Sequence, residues 1–383
     1  MLHFSKLSRF AATIILRTGE CGNVTTSIFP KRYVQGPGAI NLLGEELSRL
    51  GKKVLLLQDP VVATQYSSKL QESLGGKVDA VVEVFQGECC DEEINRLAAN
   101  KGIDVVASVG GGKMLDTGKV VGHVLNVPVA VVPTLASTDA PCSALSVIYK
   151  KTGEFDRYFL FPQNPSLVLV DSDIICQAPV RFLVSGMGDA LATWFEAESC
   201  AANRKPNMTG RLGSYTALGL ARMCYETLLE YGVLAKEACA AKVNCPALER
   251  VIEANTLLSG LGFESAGLGA AHAIHNGLTL LPEAHTFWHG EKVTIGVLAS
   301  LMLTDKPPQV IDTVYSFCES VGLPTTLADI NCGKVSDEAL MKVAIAACAS
   351  GETIHNEAGV ITAKAVFNAL KTADAIGRAR QRK

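Results

Sequence analysis

The sequence predicts an α/β domain built on a parallel sheet of the nucleotide-binding type, followed by an all-α domain. Three observations point there. The first half contains short, continuous apolar runs, glycines and hydroxyls punctuate the ends of those runs, and the strand pattern stops after Pro179. Continuous apolar runs separated by helix-length segments mark a parallel sheet covered on both faces. The expected division is an extension over 1–25, an α/β domain over 26–180 and a helical domain over 181–383.

The strands are expected at Val54–Leu57, Val78–Phe85, Asp104–Val109, Val129–Val132 and Leu167–Val170. Ligands of such sheets sit beyond the carboxyl ends of the strands, where Asp59, Gly110–Gly112 and Thr134 fall. Leu145–Leu160 differs: Lys150-Lys151-Thr152-Gly153 is a turn between two extended runs, so a β-hairpin is expected. The helices are expected at Met187–Ala201, Tyr215–Tyr231, Leu248–Leu261, Gly267–Leu280, Val293–Leu303, Val310–Val321 and Ser336–Cys348. Their apolar residues recur at helical spacing, with Pro282, Pro307, Pro308 and Pro324 between them.

Composition narrows the function. With 48% hydrophobic and 19% charged residues, the 383-residue chain has material for a packed core and is not a disordered protein. The net charge of -3, with no basic block, argues against nucleic acid as a partner. No apolar run approaches the roughly 20 residues of a membrane span. The 12 cysteines form no C-x-x-C pair; they fall singly apart from Cys89-Cys90, which suits a reduced interior. Met1 to Gly19 carries Lys6, Arg9 and Arg17 and no acid, the composition of a transit peptide or of a simple tail. The location is therefore expected to be cytoplasmic, or an organelle such as the mitochondrion if that segment directs targeting.

Three constellations carry chemistry. In Gly110-Gly111-Gly112-Lys113-Met114-Leu115-Asp116 a buried strand runs through glycines into a helix start, which lets backbone N–H groups approach a phosphate. Met114 stands where a Walker A loop has Ser or Thr, so the loop suits a dinucleotide or sugar phosphate instead. Pro133-Thr134-Leu135-Ala136-Ser137-Thr138-Asp139-Ala140, with Ser143, crowds hydroxyls and a carboxylate at a strand end; such residues also serve as caps. The third set is metal-like: Asp189, with four of the seven histidines within residues 272–289. Two imidazoles and one carboxylate leave a coordination position open for water or substrate. His272 and His275 share a helix face, so both could bind, or one could support the other.

In this order, GGGK-x-x-D, PT-x-AS-x-DA, G-x-GDAL, AAHAIHNG and HGEKV resemble the glycerol dehydrogenase branch of the iron/zinc alcohol dehydrogenase superfamily. The resemblance runs from Ile28 to near Leu370. It implies a Rossmann-like domain followed by a helical domain, the dehydroquinate synthase-like fold, with the site in the cleft between them. It also implies Zn2+ on Asp189, His272 and His289, which would face the substrate as well. NAD contacts fall on Asp59, Gly111, Gly112, Lys113, Asp116, Thr134, Ser137, Ser143, Leu145 and Tyr149. Asp139 is the implied glycerol-contacting carboxylate, and His275 a second catalytic or supporting group. Where iron-dependent members carry a fourth, histidine ligand this chain has Thr193, which favours three-ligand zinc. Asp59 would accept from the ribose and repel a 2′-phosphate, favouring NAD over NADP. The implied reaction is oxidation of glycerol, or a related vicinal diol, to the ketone, by a homo-oligomer, often an octamer. Related alcohol or glycerol-1-phosphate dehydrogenases and a dehydroquinate synthase-like lyase share the fold. The phosphate-handling alternatives need a Lys/Arg cluster that the motifs around Asp189 and His272 lack.

Overall fold

A computed structural model describes residues 23–382. The expected extension falls largely on residues outside that range. Five of the strands are those expected: β2 (Lys53–Gln58), β3 (Asp79–Val84), β4 (Val105–Gly110), β5 (Val129–Pro133) and β8 (Leu167–Asp171). The hairpin is present as β6 (Leu145–Tyr149) paired antiparallel with β7 (Phe155–Leu160). An edge strand not anticipated, β1 (Tyr33–Gly36), pairs with β8; four half-buried residues give too short a pattern to read.

The six-stranded sheet is wholly parallel, in the order β1-β8-β5-β4-β2-β3. From β2 the chain adds β3 on one side, then crosses back to place β4 on the other. The connections leaving β2 and β4 therefore diverge, and a crevice opens beyond their carboxyl ends. Asp59 follows β2 there, and Gly110–Gly112 closes β4.

Every residue of β4 and β8 is buried, the reason their sequences are apolar without alternation. Val54, Leu56, Val105, Ala107 and Val109 pack on one face. On the other, Leu55, Leu57 and Val106 meet the helix α1 (Gly112–Leu125). Farther along that second face, Val131, Val168 and Val170 share a core with Leu183, Met187 and Leu191 of α2 (Val180–Ala202). Sheet and helical region are thus joined by a common apolar core, each buried aliphatic side chain contributing about 1.5–3 kcal/mol.

After α2 come α3 (Tyr215–Ala240), α4 (Ser259–Ala266), α5 (Ala270–Leu278), α6 (His289–Leu303) and α7 (Pro308–Val321). Several helices differ from expectation: α3 runs on to Ala240 rather than Tyr231, α6 opens at His289 rather than Val293, and the helix expected over Leu248–Leu261 is interrupted at Ala254–Leu258. α2 begins at Val180, seven residues before the expected Met187, because Pro179 starts it. The helix expected to open at Gly267 begins at Ala270, since Gly267 has φ +114° and ends the preceding one. A final helix, α8 (Ala363–Gln381), was not foreseen. Every cysteine among the described residues is free, and no helix of theirs is long and apolar enough to cross a membrane.

Candidate metal and nucleotide site

α2 carries Asp189, Thr193 and Glu196, spaced by four and three residues, so all three lie on one helix face; all are buried. α5 supplies His272 and α6 begins with His289. The approach of α2 to α6 depends on two glycines. A Cβ on Gly188 would stand 2.4 Å from Gly290 O, and one on Gly290 would stand 1.7 Å from Ser185 O. With larger residues the helices would separate and Asp189 would not meet His289.

One ligand atom from each of Asp189, His272 and His289 lies within 4.8 Å of the others. Asp189 Oδ1 is 3.0 Å from His289 Nε2 and 3.4 Å from His272 Nε2, yet accepts no well-aligned hydrogen bond and is fully buried. Two donor atoms held about 2.0–2.1 Å from one tetrahedral zinc stand roughly 3.3 Å apart. The spacing, the chemistry of the donor set and the orphaned buried oxygen fit a cation.

Glu196 was not anticipated. Its Oε2 lies 2.6 Å from His272 Nδ1, and its Oε1 accepts from the N–H groups of Gly269 and His272, both at 2.9 Å. A carboxylate at the start of α5 satisfies free amides and suits the helix dipole. It also fixes the proton on Nδ1, so that Nε2 presents its lone pair to the ligand cluster. Asp189 is oriented in the same manner: Asp139 N–H donates to its Oδ2 at 3.2 Å, which turns Oδ1 toward the imidazoles.

The charges agree with that arrangement. Burial pushes Asp189 upward, but His289 and His272 outweigh it and hold the carboxyl far below its ordinary range. Burial lowers His272, and Glu196 and Asp189 overcome it, raising the imidazole well above its ordinary value. The same negative field would also attract a cation. Burial and the neighbouring Asp189 carboxylate push Asp139 well above the usual carboxylate range.

His275 stands beside the cluster rather than in it. Its ring is 4.2 Å from that of His289, and its Nδ1 is 3.2 Å from Asn276 Oδ1. Asn276 Nδ2 donates to Glu352 Oε2 at 3.1 Å, which sets the amide so that its oxygen faces His275. Nδ1 therefore carries the hydrogen and Nε2 is the acceptor. Burial, with His289, His272 and Lys292 nearby, lowers His275 well below the ordinary value and keeps it neutral. His285 is exposed, bonded to Thr279 O, and takes no part. Thr193 stays outside the ligand set and bonds Ser259.

On the sheet side, Thr134 N–H donates to Gly110 O at 3.1 Å and Asp59 N–H to Val109 O at 3.0 Å. Asp59 also caps the next short helix through Val61 N–H. A Cβ on Gly110 would stand 2.7 Å from the Cβ of Asp59, so the loop and the carboxylate are in contact. Gly111 caps α1 without a side-chain bond, which leaves the first amides of α1 free. Lys113 pairs with Glu88 at 2.7 Å and lies 5.0 Å over the Tyr149 ring. Asp116, Ser143 and Leu145 gather around the buried Lys119. Its Nζ is 3.1 Å from Asp116 Oδ1 and 3.4 Å from Ser143 Oγ, and donates to Leu145 O and Ala140 O at 2.7 Å. Ser137 is half-buried on the loop that follows β5. Lys119 gave a faint signal, three residues after Asp116; Glu196 gave one, seven after Asp189.

The iron-containing alcohol dehydrogenase family matches residues 30–172. A glycerol dehydrogenase of Thermotoga maritima is 62% identical over 94% of this chain and 99% of its own. One of Citrobacter freundii is 48% identical over 91% of this chain and 97% of its own. Among solved structures, the glycerol dehydrogenase of Schizosaccharomyces pombe superposes with a TM-score of 0.91 at 37% identity, covering 94% of this chain and 93% of that one. A 1,3-propanediol oxidoreductase, at 19% identity and a TM-score of 0.77 over 92% of this chain and 100% of its own, shares the fold.

Proposed function

The chain belongs to the iron-containing alcohol dehydrogenase family, on its glycerol dehydrogenase branch, and we propose that it oxidises glycerol to dihydroxyacetone, reversibly, with NAD and zinc. It is an oxidoreductase. The observation that carries the zinc reading is the meeting of the buried Asp189 Oδ1 with His272 Nε2 and the half-exposed His289 Nε2.

When bound, zinc supplies Lewis acidity toward a secondary hydroxyl and NAD supplies the hydride acceptor. The residues do the rest. Asp189, His272 and His289 hold the cation, with Glu196 and the Asp139 N–H orienting two of them. Asp139 receives the neighbouring hydroxyl of a vicinal diol. His275 Nε2, the acceptor of a neutral imidazole, takes a proton from the substrate side. The free amides at Gly112 and beyond receive the pyrophosphate, and Asp59 the ribose hydroxyls. Lys113, Thr134, Ser137 and Tyr149 line the dinucleotide crevice, while Asp116, Ser143 and Leu145 shape it through Lys119. Residues 26–180 form the nucleotide-binding unit, residues 181–383 the metal- and substrate-binding unit, and the chain assembles as a homo-oligomer.

The test is NADH formation from glycerol, followed by absorbance before and after a chelator, with metal analysis of the purified protein. Activity lost to the chelator and restored by zinc is expected. Full activity in metal-free protein would overturn the reading.

A further inference from the structure

The loop bearing Asp139 is gripped from an irregular helix. Between the helix Pro246–Glu253 and α4, residues Ala254–Leu258 form a π-type turn. Such turns interrupt the regular ladder and re-aim side chains, often at functional sites. Asn255, within it, donates from Nδ2 to Ala136 O at 3.0 Å and Leu183 O at 3.1 Å. Ser259, just after it, donates from Oγ to Asp139 Oδ2 at 2.8 Å. The packing is tight: a Cβ on Gly260 would stand 3.0 Å from Asp139 O.

Ser259 Oγ also lies 2.8 Å from Thr193 Oγ1. A hydroxyl has one hydrogen. That of Ser259 goes to the carboxylate, so Thr193 donates to Ser259. The chain of donors runs Thr193, Ser259, Asp139 and ends on a carboxylate oxygen. Thr193 and Ser259 are fully buried, so water does not compete for these bonds. One oxygen of Asp139 is thereby engaged and the other is left for a second partner.

We propose that Ser259, held by Thr193, is a positioning residue that sets the preference for vicinal diols over monoalcohols. It fixes the Asp139 carboxylate so that its remaining oxygen meets the diol's second hydroxyl. The inference rests on the reading of Asp139 as the acceptor of that hydroxyl. A monoalcohol has no second hydroxyl, so its turnover does not depend on the aim of this carboxylate.

The test uses the zinc- and NAD-loaded enzyme, with glycerol and propan-2-ol compared by steady-state kinetics for Ser259→Ala, Thr193→Val, Asp139→Asn and the double variant Ser259→Ala/Asp139→Asn. Ser259→Ala should raise KM for glycerol about tenfold, the worth of one buried hydrogen bond. Its kcat and its KM for propan-2-ol should change less than about threefold. Thr193→Val should act in the same direction and more weakly, and it carries the test if Ser259→Ala does not fold. In the Asp139→Asn background the serine change should add nothing further. Equal effects on both alcohols, or effects additive with Asp139→Asn, would overturn the role of Ser259. If Asp139→Asn itself affects both alcohols equally, the diol reading fails and this inference falls with it.

Discussion

The two walls of the cleft are built on different principles. On the helical wall, the cluster draws Asp189, His272, His289 and Glu196 from three helices, and its strength lies in fixed partners around two fully buried carboxylates, Asp189 and Glu196. On the sheet wall, the crevice is made of consecutive residues, and much of it is backbone: the Gly110–Gly112 turn, the free amides of α1 and the Asp59 cap. The first wall concentrates charge out of water, where each interaction is worth more and each loss costs more. The second faces solvent, and its side chains, such as Lys113 at 51% exposure, are individually replaceable. A reaction centre needs the former; a cofactor that must come and go suits the latter.

If that contrast holds, damage to the helical wall should be the more severe. His272→Ala and His289→Ala should each cut activity about a thousandfold or more, because a Lewis acid contributes several kcal/mol to the barrier. Metal analysis should find the variants stripped, and a fully active, metal-free His272 variant would break the assignment. Glu196→Gln should leave the ligands in place but weaken metal affinity about 10- to 100-fold, measured by competition with a chelator. Unchanged affinity would mean that Glu196 only stitches α5 to α2.

On the sheet wall the effects should be milder. Asp59→Asn keeps the cap but removes the charge, and should shift the NAD/NADP preference about tenfold toward NADP, equivalent to about 1.4 kcal/mol. Kinetics with both dinucleotides would show it, and an unchanged ratio would remove Asp59 from the ribose site.

The smallest effect on the reaction is expected at the seam between the walls. Glu264 of α4 is buried there and accepts from Ala144 N–H at 2.6 Å and Asn164 Nδ2 at 2.5 Å. Burial outweighs these bonds and pushes its carboxyl up to about 7. The folded form thus holds its proton more tightly than the unfolded chain. The stability this contributes is complete below the ordinary carboxylate range and is lost as pH rises through about 7. The whole effect is on the order of 3 kcal/mol. Glu264→Gln should flatten that slope in denaturant unfolding between pH 5 and pH 8 (roughly the window of the shift); an unaltered slope would place the titration elsewhere.

Much of the sheet wall was legible in the chain because its determinants are local. A buried strand must be apolar on both sides, a tight strand-to-helix turn must use glycine, and both signs stand within Val105–Asp116. The candidate ligand residues that the structure brings together, Asp189, His272 and His289, stood out in the sequence by chemical type and, through the family motifs, by their order. What sequence alone decided was therefore which groups were available and which elements carried them. Tertiary structure decided which of them meet. Glu196 reached His272, Ser259 reached Asp139 and Thr193 reached Ser259 across separations of 76, 120 and 66 residues. Hydrogen bonds act over about 3 Å, while helix periodicity reports only which face is buried, so the partner a buried polar group finds is set by how the helices pack.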